Sequence, residues 1–403
     1  MARKYEWAQH SSRCRRRSRR IDGALLLGSK GIPVTVLEAQ ASISEELRAS
    51  TFHPPTLDLL APFGITARML EAGLICPTWQ IRLHPSGERA VFDLAVLQGE
   101  TGHPYRLQCE QSKFCRFALD TIHKLDSVTT IFNAPVTGFE QSSDLVRITA
   151  KVDGKDEIFT ANYLIGADGA RSVVRHILGI EMSGDIYPET TILATTRYPF
   201  HEKLDGLSNV SYCWKPNGTF SLLRLPGVWR VSLYARDSQT TEEALEDAAQ
   251  QDLLHDIVPE AGRIEALETR PYSIHRRLAL SYRLGKVFLA GDAAHLNSPS
   301  GGMGMNGGIH DAFNLCEKLI AVIQDGADEI SLDRYERQRR PIAEEEIIAQ
   351  AHRNRTRMQE RDPESRRAML QDLQRTIDNP AKLKEYLLKS SMIEGLRRAA
   401  ASA

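Results

Sequence analysis

The residues with the clearest capacity for chemistry lie between residues 291 and 311, where carboxylates, an amide and many glycines follow an apolar run. Residues 287–290 predict a short buried strand, and Asp292 follows at its carboxyl end. Five glycines within residues 301–308 would let the backbone approach a flat or phosphorylated ligand closely. From residue 309 apolar side chains recur about a turn apart, which predicts a helix. The order of strand, acid, glycine loop and helix favours an anionic or strongly hydrogen-bonding cofactor.

A second set of charged residues follows another apolar run, within residues 163–175. Residues 163–167 predict a buried strand, and Asp168 and Gly169 predict the turn at its end. Arg171 and Arg175 are four residues apart, so one helical face would present both guanidinium groups to phosphates. A solvated surface is the alternative for these arginines, and the glycine loop elsewhere in the chain favours the phosphate interpretation.

A third segment, residues 24–38, is typical of a helix followed by a strand. Gly31 suits the end of the helix, and residues 34–38 predict the strand. Glu38 at the end of that strand suits the hydroxyl groups of an adenosine ribose. A solvated carboxylate at a strand end is the alternative for Glu38.

The three segments together resemble the FAD-dependent aromatic hydroxylases, the group A flavoprotein monooxygenases related to para-hydroxybenzoate hydroxylase. The run GDAAHLNSPSGGMGMNGGIHDAFNL, which begins at Gly291, is similar to the second flavin-binding motif of that family, and residues 163–175 are similar to its Asp-Gly motif. The resemblance covers residues 21–350. It implies that NAD(P)H reduces bound FAD, that O2 adds at the flavin C4a carbon, and that the C4a-hydroperoxide hydroxylates a small aromatic substrate.

The same resemblance implies which residues contact FAD, and it assigns no catalytic residue and no metal ligand. Arg48 would approach the diphosphate, Asp292 the ribityl hydroxyls, and Gln111 the flavin linkage, with Gln108 as its rival. The complete set of expected FAD contacts is Glu38, Arg48, Gln111, Asp168, Asp292, Pro299, Gly301, Gly302, Gly304, Met305 and Asn306.

Residues of the glycine-rich motif have separate expected roles. Pro299 and the backbone of residues 301–306 would lie beside the isoalloxazine, and Asn306 would donate to the edge of that ring. His295 is interpreted as a packing or hydrogen-bonding residue rather than a base. The chemistry would therefore come from the cofactor more than from a protein nucleophile.

The elements that must position these residues predict interleaved domains, and the resemblance implies an α/β protein in which a Rossmann-like FAD-binding domain is interleaved with a β-rich substrate domain and followed by C-terminal helices. The FAD-binding domain is expected to be discontinuous, in residues 21–75, 105–186 and 270–330. The substrate domain is expected in residues 76–104 and 187–269, where β segments are separated by Gly and Pro. A helical region is expected in residues 331–403, with an amphipathic tail that packs on the core or on a partner.

The substrate segments carry aromatic side chains whose role the sequence leaves open. They could line a pocket, or they could belong to the core of a sheet, which is the commoner fate of aromatic residues in strands. These side chains are Tyr198, Tyr212, Trp214, Phe220 and Tyr234. Residues 240–254, rich in Glu and Ala, predict a single helix.

Composition restricts the class of protein. The 403 residues carry a net charge of −1, with 42% hydrophobic and 26% charged residues, which fits a globular enzyme and gives no drive toward nucleic acid. No apolar stretch approaches the length of a membrane span, and six cysteines without a CxxC spacing favour reduced thiols in the cytoplasm. The expected partners are a small aromatic substrate and O2, with a homodimer as the alternative to a monomer.

The N-terminus departs from the resemblance. Members of the family begin with a strand, a Gly-x-Gly-x-x-Gly turn and a helix, whereas residues 13–20 contain six arginines and cannot form a buried strand. Residues 1–20 are therefore expected to be an irregular basic segment, and the chain is expected to bind FAD poorly. A frameshifted gene start within residues 1–22 is one hypothesis for the arginine run, and a nuclear import signal, a nucleic-acid-binding arm or a transit peptide are others.

Three other functions stay open. One is a same-fold FAD epoxidase or reductase, because no substrate residue is diagnostic. The second is a catalytically impaired remnant that lacks the phosphate-binding loop. The third is a nucleic-acid binder with a basic arm, against which the neutral remainder of the chain argues.

Overall fold

Two large β-sheets organise the chain, whose computed structural model describes residues 7–9, 18–45, 49–216, 218–236 and 239–402. The strands of the described residues are β1 (Trp7–Gln9), β2 (Val34–Leu37), β3 (Thr51–Phe52), β4 (Leu74–Cys76), β5 (Thr78–Leu83), β6 (Arg89–Asp93), β7 (Arg106–Gln108), β8 (Val128–Ile131), β9 (Val136–Gln141), β10 (Val146–Val152), β11 (Lys155–Ala161), β12 (Tyr163–Gly166), β13 (Met182–Thr196), β14 (Val210–Lys215), β15 (Gly218–Leu225), β16 (Val228–Tyr234), β17 (Glu268–Ala279), β18 (Arg283–Leu284), β19 (Val287–Leu289) and β20 (His295–Leu296).

Helices connect these strands and form the C-terminal part of the described chain. In order they are α1 (Ser18–Ser29), α2 (Pro54–Leu60), α3 (Ile65–Ala72), α4 (Gln111–Ile122), α5 (Val173–Ile177), α6 (Phe200–Lys203), α7 (Thr241–Ala244), α8 (Asp247–His255), α9 (Met303–Ile323), α10 (Asp333–Ile342), α11 (Ala349–Gln359), α12 (Pro363–Ile377), α13 (Pro380–Ser390) and α14 (Ile393–Ala401). A π-helical stretch, Ala343–Ile348, joins α10 to α11 just after Pro341.

The first sheet has the strand order of a dinucleotide-binding fold. Its order is β18-β19-β12-β1-β2-β8, and all strands except the edge strand β18 run parallel. Numbered in chain order, the parallel strands are arranged 3-2-1-4-5, so the order reverses between β1 and β12. Ligands of such sheets bind beyond the carboxyl ends of the strands near that reversal.

The strands predicted at residues 34–38, 163–167 and 287–290 are β2, β12 and β19, and they lie in this one sheet. Every residue of β12 and β19 is buried, as expected for parallel strands with helices on both faces. Helix α1 packs against both α4 and α9. The α/β fold class is therefore confirmed.

The first strand of this sheet corrects the expectation for the N-terminus. Strand β1 lies at Trp7–Gln9, before the arginine run, and it pairs with β12 on one side and β2 on the other. The prediction that residues 1–20 are irregular is therefore wrong for these three residues and for the start of α1 at Ser18. The arginines exclude a buried strand only at residues 13–20, and the three residues Trp7–Gln9 are too short to show a pattern of apolar residues. Residues 1–6 and 10–17 lie outside the described residues.

The second sheet is formed by chain segments that are distant in sequence. Its order is β20-β17-β13-β16-β15-β14-β5-β6, so residues 78–93 join strands from residues 182–296. The pairing of β5 with β14 is parallel, and the other pairings are antiparallel. Apolar side chains on one face pack against α6, α7 and α8, which leaves the other face of the central strands available for a cavity.

Two sequence predictions in this region need correction. The helix predicted over residues 240–254 is two helices, because Glu246 is extended, with φ −65° and ψ 141°, between α7 and α8. A capping box of Thr240 and Glu243 starts the first of them. Strand β11 was not predicted, and it completes an antiparallel sheet of order β11-β10-β9.

The C-terminal helices cover the outer strands of the second sheet. Leu370, Leu373, Leu383 and Leu387 of α12 and α13 pack with Trp79 and Phe92 of β5 and β6 in one apolar cluster. Of the two alternatives for the amphipathic tail, packing on the core is therefore the one found. Among the described residues no helix is long and apolar enough to cross a membrane.

Candidate functional site

A cavity of about 230 Å³ lies between the glycine-rich loop and the second sheet. One wall is made of residues 297–300 and 302–305, and the opposite wall of side chains from β13 to β17. Alternate residues of a strand face the same side, so the register decides which side chains meet there. Leu193, Ser232, Ser221 and Tyr212 are consecutive cross-strand partners, and all four line the cavity.

The same alternation decides the role of the aromatic side chains. Tyr212 and Tyr234 line the cavity, whereas Tyr198 and Trp214 pack in apolar clusters of the sheet. Phe220 belongs to the cluster on the far face and also borders the cavity. The sequence could not separate these roles because each depends on strand register and on the packing partner.

Two glycines give the loop its shape. Gly301 has φ 93° and Gly302, which precedes α9, has φ 69°, a region that favours glycine. A Cβ atom on Gly302 would lie 3.0 Å from the Cβ of Thr51, and one on Gly301 would lie 2.8 Å from Nδ2 of Asn354. Side chains at these two positions would therefore both strain the backbone and crowd the loop.

Asn306 fastens the loop to the segment at residues 51–53. Its Nδ2 donates to the carbonyl oxygens of Thr51 at 2.8 Å and Gly302 at 2.7 Å, and its Oδ1 accepts from the backbone N–H of His53 at 2.9 Å. Both amide hydrogens are thus used within the protein. The expectation that this side chain donates to the edge of a bound ring does not agree with this geometry.

His53 is a buried site residue that the sequence did not reveal. Its ring is fully buried, and Nε2–H donates to the carbonyl oxygen of Gly301 at 2.8 Å. Burial, together with the nearby charge of Arg106, holds the pKa of His53 well below its usual range. The imidazole is therefore neutral, and it ties the loop to the segment at residues 51–53.

A buried ionic network joins the turn after β19 to helix α9. Oδ2 of Asp311 lies 2.7 Å from Nε2 of His295 and accepts from the N–H of Gly291 at 3.1 Å, while Oδ1 accepts from Nε of Arg339 at 2.8 Å. Burial alone would raise the pKa of Asp311, but His295 and Arg339 lower it below its ordinary range. The interpretation of His295 as a hydrogen-bonding residue is confirmed.

The acidic residues predicted from the motifs lie at the carboxyl edge of the first sheet. Glu38 follows β2, Asp168 follows β12 and Asp292 follows β19, and all are buried. Oδ2 of Asp168 accepts from the N–H groups of Val173 at 2.6 Å and Val174 at 3.1 Å, so this carboxylate also fixes the start of α5. None of the three lines the cavity described above.

Arg175 connects two of the predicted motifs. Its guanidinium donates to the carbonyl oxygens of Ala170 and Ala293, both at 2.9 Å. The first belongs to the segment after β12 and the second to the turn after β19. This arginine therefore holds the two strand ends together, a role that the sequence did not suggest.

The structure distinguishes between Gln111 and Gln108 as candidate cofactor contacts. Gln111 is the first residue of α4 and lines the cavity. Gln108 is fully buried, and its Nε2 donates to Oγ1 of Thr51 at 2.9 Å. Of the predicted contacts, the cavity thus brings together Gln111, Pro299, Gly302, Gly304 and Met305, while Arg48 lies outside the described residues.

The sequence did not predict two arginines that line the cavity, Arg230 and Arg270. Arg230 of β16 is buried, and its Nη1 donates to Oγ of Ser50 at 3.4 Å. Burial lowers the pKa of Arg230 to about 10. Arg270 of β17 lies beside it in the wall and pairs with Glu268. The alternating segment at residues 229–234 contained the signal, because Arg230 shares a face with Ser232 and Tyr234.

Comparison with known proteins gives evidence about this site that does not depend on its geometry. The family model described as FAD binding domain matches residues 23–350. The chain is 32% identical over 381 residues to para-nitrophenol 4-monooxygenase of Pseudomonas sp. strain WBC-3, with 93% of each chain covered. It is 31% identical to 6-hydroxy-3-succinoylpyridine 3-monooxygenase HspB of Pseudomonas putida strain DSM 28022 / S16, covering 79% of this chain and 80% of the relative.

A solved structure is similar over nearly the whole length. The crystal structure of p-nitrophenol 4-monooxygenase PnpA from Pseudomonas putida DLL-E4 superposes with a TM-score of 0.88. The two chains are 29% identical, and 98% of each is covered.

Proposed function

Because the chain belongs to the family of FAD-dependent aromatic hydroxylases, we propose that it uses NAD(P)H and O2 to hydroxylate a small aromatic ring. The observation that carries this proposal is the cavity between the glycine loop and the sheet. Its loop wall includes Gly302 and Gly304, whose bare backbone suits a flat cofactor ring. Its sheet wall offers hydroxyl groups and two guanidinium groups for the substrate.

The residues present fit FAD. Thr51 and Asn354 stand so close to the two loop glycines that only bare backbone fits there, which permits close approach of a ring. The first sheet presents acidic residues at the carboxyl ends of β2, β12 and β19, around the reversal of strand order. We propose as FAD contacts Glu38, Arg48, Gln111, Asp168, Asp292, Pro299, Gly301, Gly302, Gly304, Met305 and the backbone of Asn306.

When bound, FAD supplies the redox chemistry, in which NAD(P)H and O2 are consumed, one oxygen atom enters a ring C–H bond and the other leaves as water. The protein's part is to hold and shield the reactants. The hydroxyl-bearing side chains of Ser221, Ser232 and Tyr234 can orient the polar substituents of the substrate. The guanidinium of Arg230 stabilises negative charge on a ring oxygen, and a deprotonated hydroxyl makes the ring more electron-rich.

Product analysis tests this function. The flavin-containing protein is mixed with NADH or NADPH and a panel of phenols and hydroxypyridines under isotopically labelled O2. We expect one substrate to stimulate NAD(P)H oxidation and to gain a single labelled oxygen atom. Reduction of a substrate without oxygen incorporation would instead support the same-fold reductase, and labelled epoxide would support the epoxidase. A protein that binds no flavin would support the impaired remnant.

We also propose the division of the chain made from its sequence. The FAD-binding domain comprises residues 21–75, 105–186 and 270–330, the substrate domain residues 76–104 and 187–269, and the helical region residues 331–403. The sheets support the assignment of residues 78–93, which pair with the second sheet and not with the first. Strands β17 and β20 also belong to the second sheet, so the sheet boundary does not follow the proposed boundary at residue 270. A cytoplasmic location, where NAD(P)H is supplied, and assembly as a monomer or homodimer complete the proposal.

A further inference from the structure

Arg106 is a buried cation outside the main cavity. It lies on β7 and is 3% exposed, and its guanidinium carbon stands 4.8 Å from the ring centre of Trp79. Its Nε and Nη1 atoms are buried and have no hydrogen-bond partner among the described residues. The neighbours that favour its charge are Tyr212, which also forms a side-chain hydrogen bond with it, Tyr386 and Cys76, and none of them is a carboxylate. A buried charge without a counter-ion is strongly unfavourable, which points to a ligand.

The side chain of Arg106 lines a small cavity that is rich in hydrogen-bond donors. The cavity has a volume of about 30 Å³ and lies between β5, β7 and the C-terminal helices α11 and α13. Arg357 and Asn354 contribute further N–H groups, and Oγ of Ser390 is buried there without a partner among the described residues. None of the residues that line this cavity is acidic.

Size and charge together define the ligand. One water needs roughly 10–15 Å³ of such volume, so 30 Å³ holds a halide or a carboxylate and excludes a phosphate ester. Ser300 and Gly301 of the glycine loop also line the cavity, and Tyr212, Ser300, Met303 and Met358 line the main cavity as well. We propose that Arg106 is the centre of a binding site for a small monovalent anion, either a free halide or an anionic group on the substrate.

Thermal unfolding tests the site without turnover, so the result does not depend on the proposed function. The flavin-containing protein is compared in sodium chloride and in sodium gluconate at equal ionic strength, because the gluconate carboxylate carries a hydrated polyol chain rather than the aromatic ring that the main cavity is proposed to hold. At about fifty times its Kd, chloride should raise the Tm by about 2–3 °C relative to gluconate. The increase should saturate with concentration.

The variant Arg106→Met should lose this chloride-specific increase. Arg68→Met is the matched control, because Arg68 also lies over an aromatic ring, Phe117 at 4.3 Å, but is paired with Asp120 at 2.7 Å. That control should keep the chloride response of the unchanged protein. An equal chloride response in all three proteins would overturn the proposal.

Bromide provides a measurement that needs no variant. Crystals of the unchanged protein grown with sodium bromide should give an anomalous peak next to the Arg106 guanidinium, and the absence of that peak would also overturn the proposal.

A benzoate titration then identifies the source of the anion. Chloride at about ten times its Kd should raise the apparent Kd of benzoate roughly tenfold if the substrate's own group occupies the site. Simultaneous binding of the two assigns the site to a free halide.

Discussion

At the residue scale, the buried carboxylate of Asp311 joins the turn after β19 to helix α9, which follows the glycine loop. Asp311 is fully buried, yet each of its oxygens has a charged or polar partner. Arg339 depends on this carboxylate, because its Nε donates to Oδ1 of Asp311 and its Nη1 has no hydrogen-bond partner among the described residues. Removing one member of such a group leaves the others buried and uncompensated, which is far costlier than losing a surface pair.

We expect Asp311→Asn to lower the free energy of unfolding by about 3–5 kcal/mol, as measured by denaturant titration. Asp120→Asn is the control, because its pair with Arg68 is half exposed and should contribute at most about 1 kcal/mol. Equal losses in the two variants would contradict the network's role.

The effect of Asp311→Asn should also depend on pH in a known direction. The pKa of Asp311 is lowered in the folded protein, so its stabilisation is complete above its ordinary value of 3.8 and is lost as the pH falls below it. The difference in unfolding free energy between the variant and the unchanged protein should be constant near neutral pH and shrink below about pH 4.

Arg230 in the cavity wall is expected to bind the negatively charged oxygen of a substrate. Arg230→Gln should weaken binding of a phenolate by about 10–100-fold, since a hydrogen bond to a charged group contributes about 1.5–3 kcal/mol. Spectral titration of the bound flavin measures this. Arg224→Gln is the control, because Arg224 lies on the neighbouring strand β15 and does not line the cavity. Unchanged phenolate affinity in Arg230→Gln would remove this arginine from the substrate site.

At the scale of elements, the loop before α9 is held by neighbours that come from elsewhere in the chain. Asn306 and His53 fasten it to residues 51–53, and the side chain of Asn354 in α11 lies next to Gly301. The loop is therefore shaped before any ligand binds. Such preorganisation lowers the entropy lost on binding.

Gly302→Val should reduce the flavin content of the purified protein. The new side chain would meet Thr51 and would occupy a backbone conformation with φ 69°, which β-branched residues rarely adopt. Flavin absorbance per protein measures the effect. Gly138→Val on β9 is the control, because nothing lies within 4 Å of its Cβ position and valine suits a strand. Full flavin content in Gly302→Val would contradict the proposed cofactor position.

The connection between β1 and α1 is the other element on which cofactor binding depends. Residues 10–17 contain no glycine and four arginines, whereas bare backbone N–H groups at this place bind a pyrophosphate. Replacing residues 10–17 with a glycine-rich Gly-x-Gly-x-x-Gly turn should therefore raise flavin occupancy sharply. Stoichiometric FAD in the unmodified chain would contradict the prediction that this chain binds FAD poorly.

At the scale of the whole molecule, the C-terminal helices complete the substrate sheet. Tyr386 of α13 stacks on Phe92 with ring centres 4.9 Å apart, and Trp79 stacks on Phe92 at 4.1 Å. The same helices enclose Arg106. The tail is thus part of the core and also a wall of the small anion site.

Truncation after residue 359 should expose this aromatic face. We expect the shortened chain to aggregate or to bind a dye for apolar surfaces, because a large contiguous apolar patch is rarely tolerated on a soluble monomer. Size-exclusion chromatography measures this. Removing only residues 402–403, which follow α14, is the control and should leave the elution volume unchanged. A monomeric truncated protein would contradict the structural role of the tail.

Local patterns in the sequence were sufficient to predict the strands and the glycine loop that are proposed to bind the cofactor. The runs that became β12 and β19 are buried at every residue, and β2 is buried except at the half-buried Thr35, so short apolar runs revealed all three strands. The glycines at 301 and 302 were informative for a similar reason, because glycine is the residue that their positive φ angles require. The arginine run misled the prediction, since the first strand occupies the three residues Trp7–Gln9 before it.

Only the tertiary structure decided which polar side chains share a space. His53 meets Gly301 across 248 residues, and Asp311 meets Arg339 across 28. Arg106 and Arg230 are ordinary strand residues in the sequence, and strand register and the C-terminal helices bury them. Burial and long-range pairing set the charge and hydrogen bonding of these groups, and neither leaves a periodic pattern along the chain.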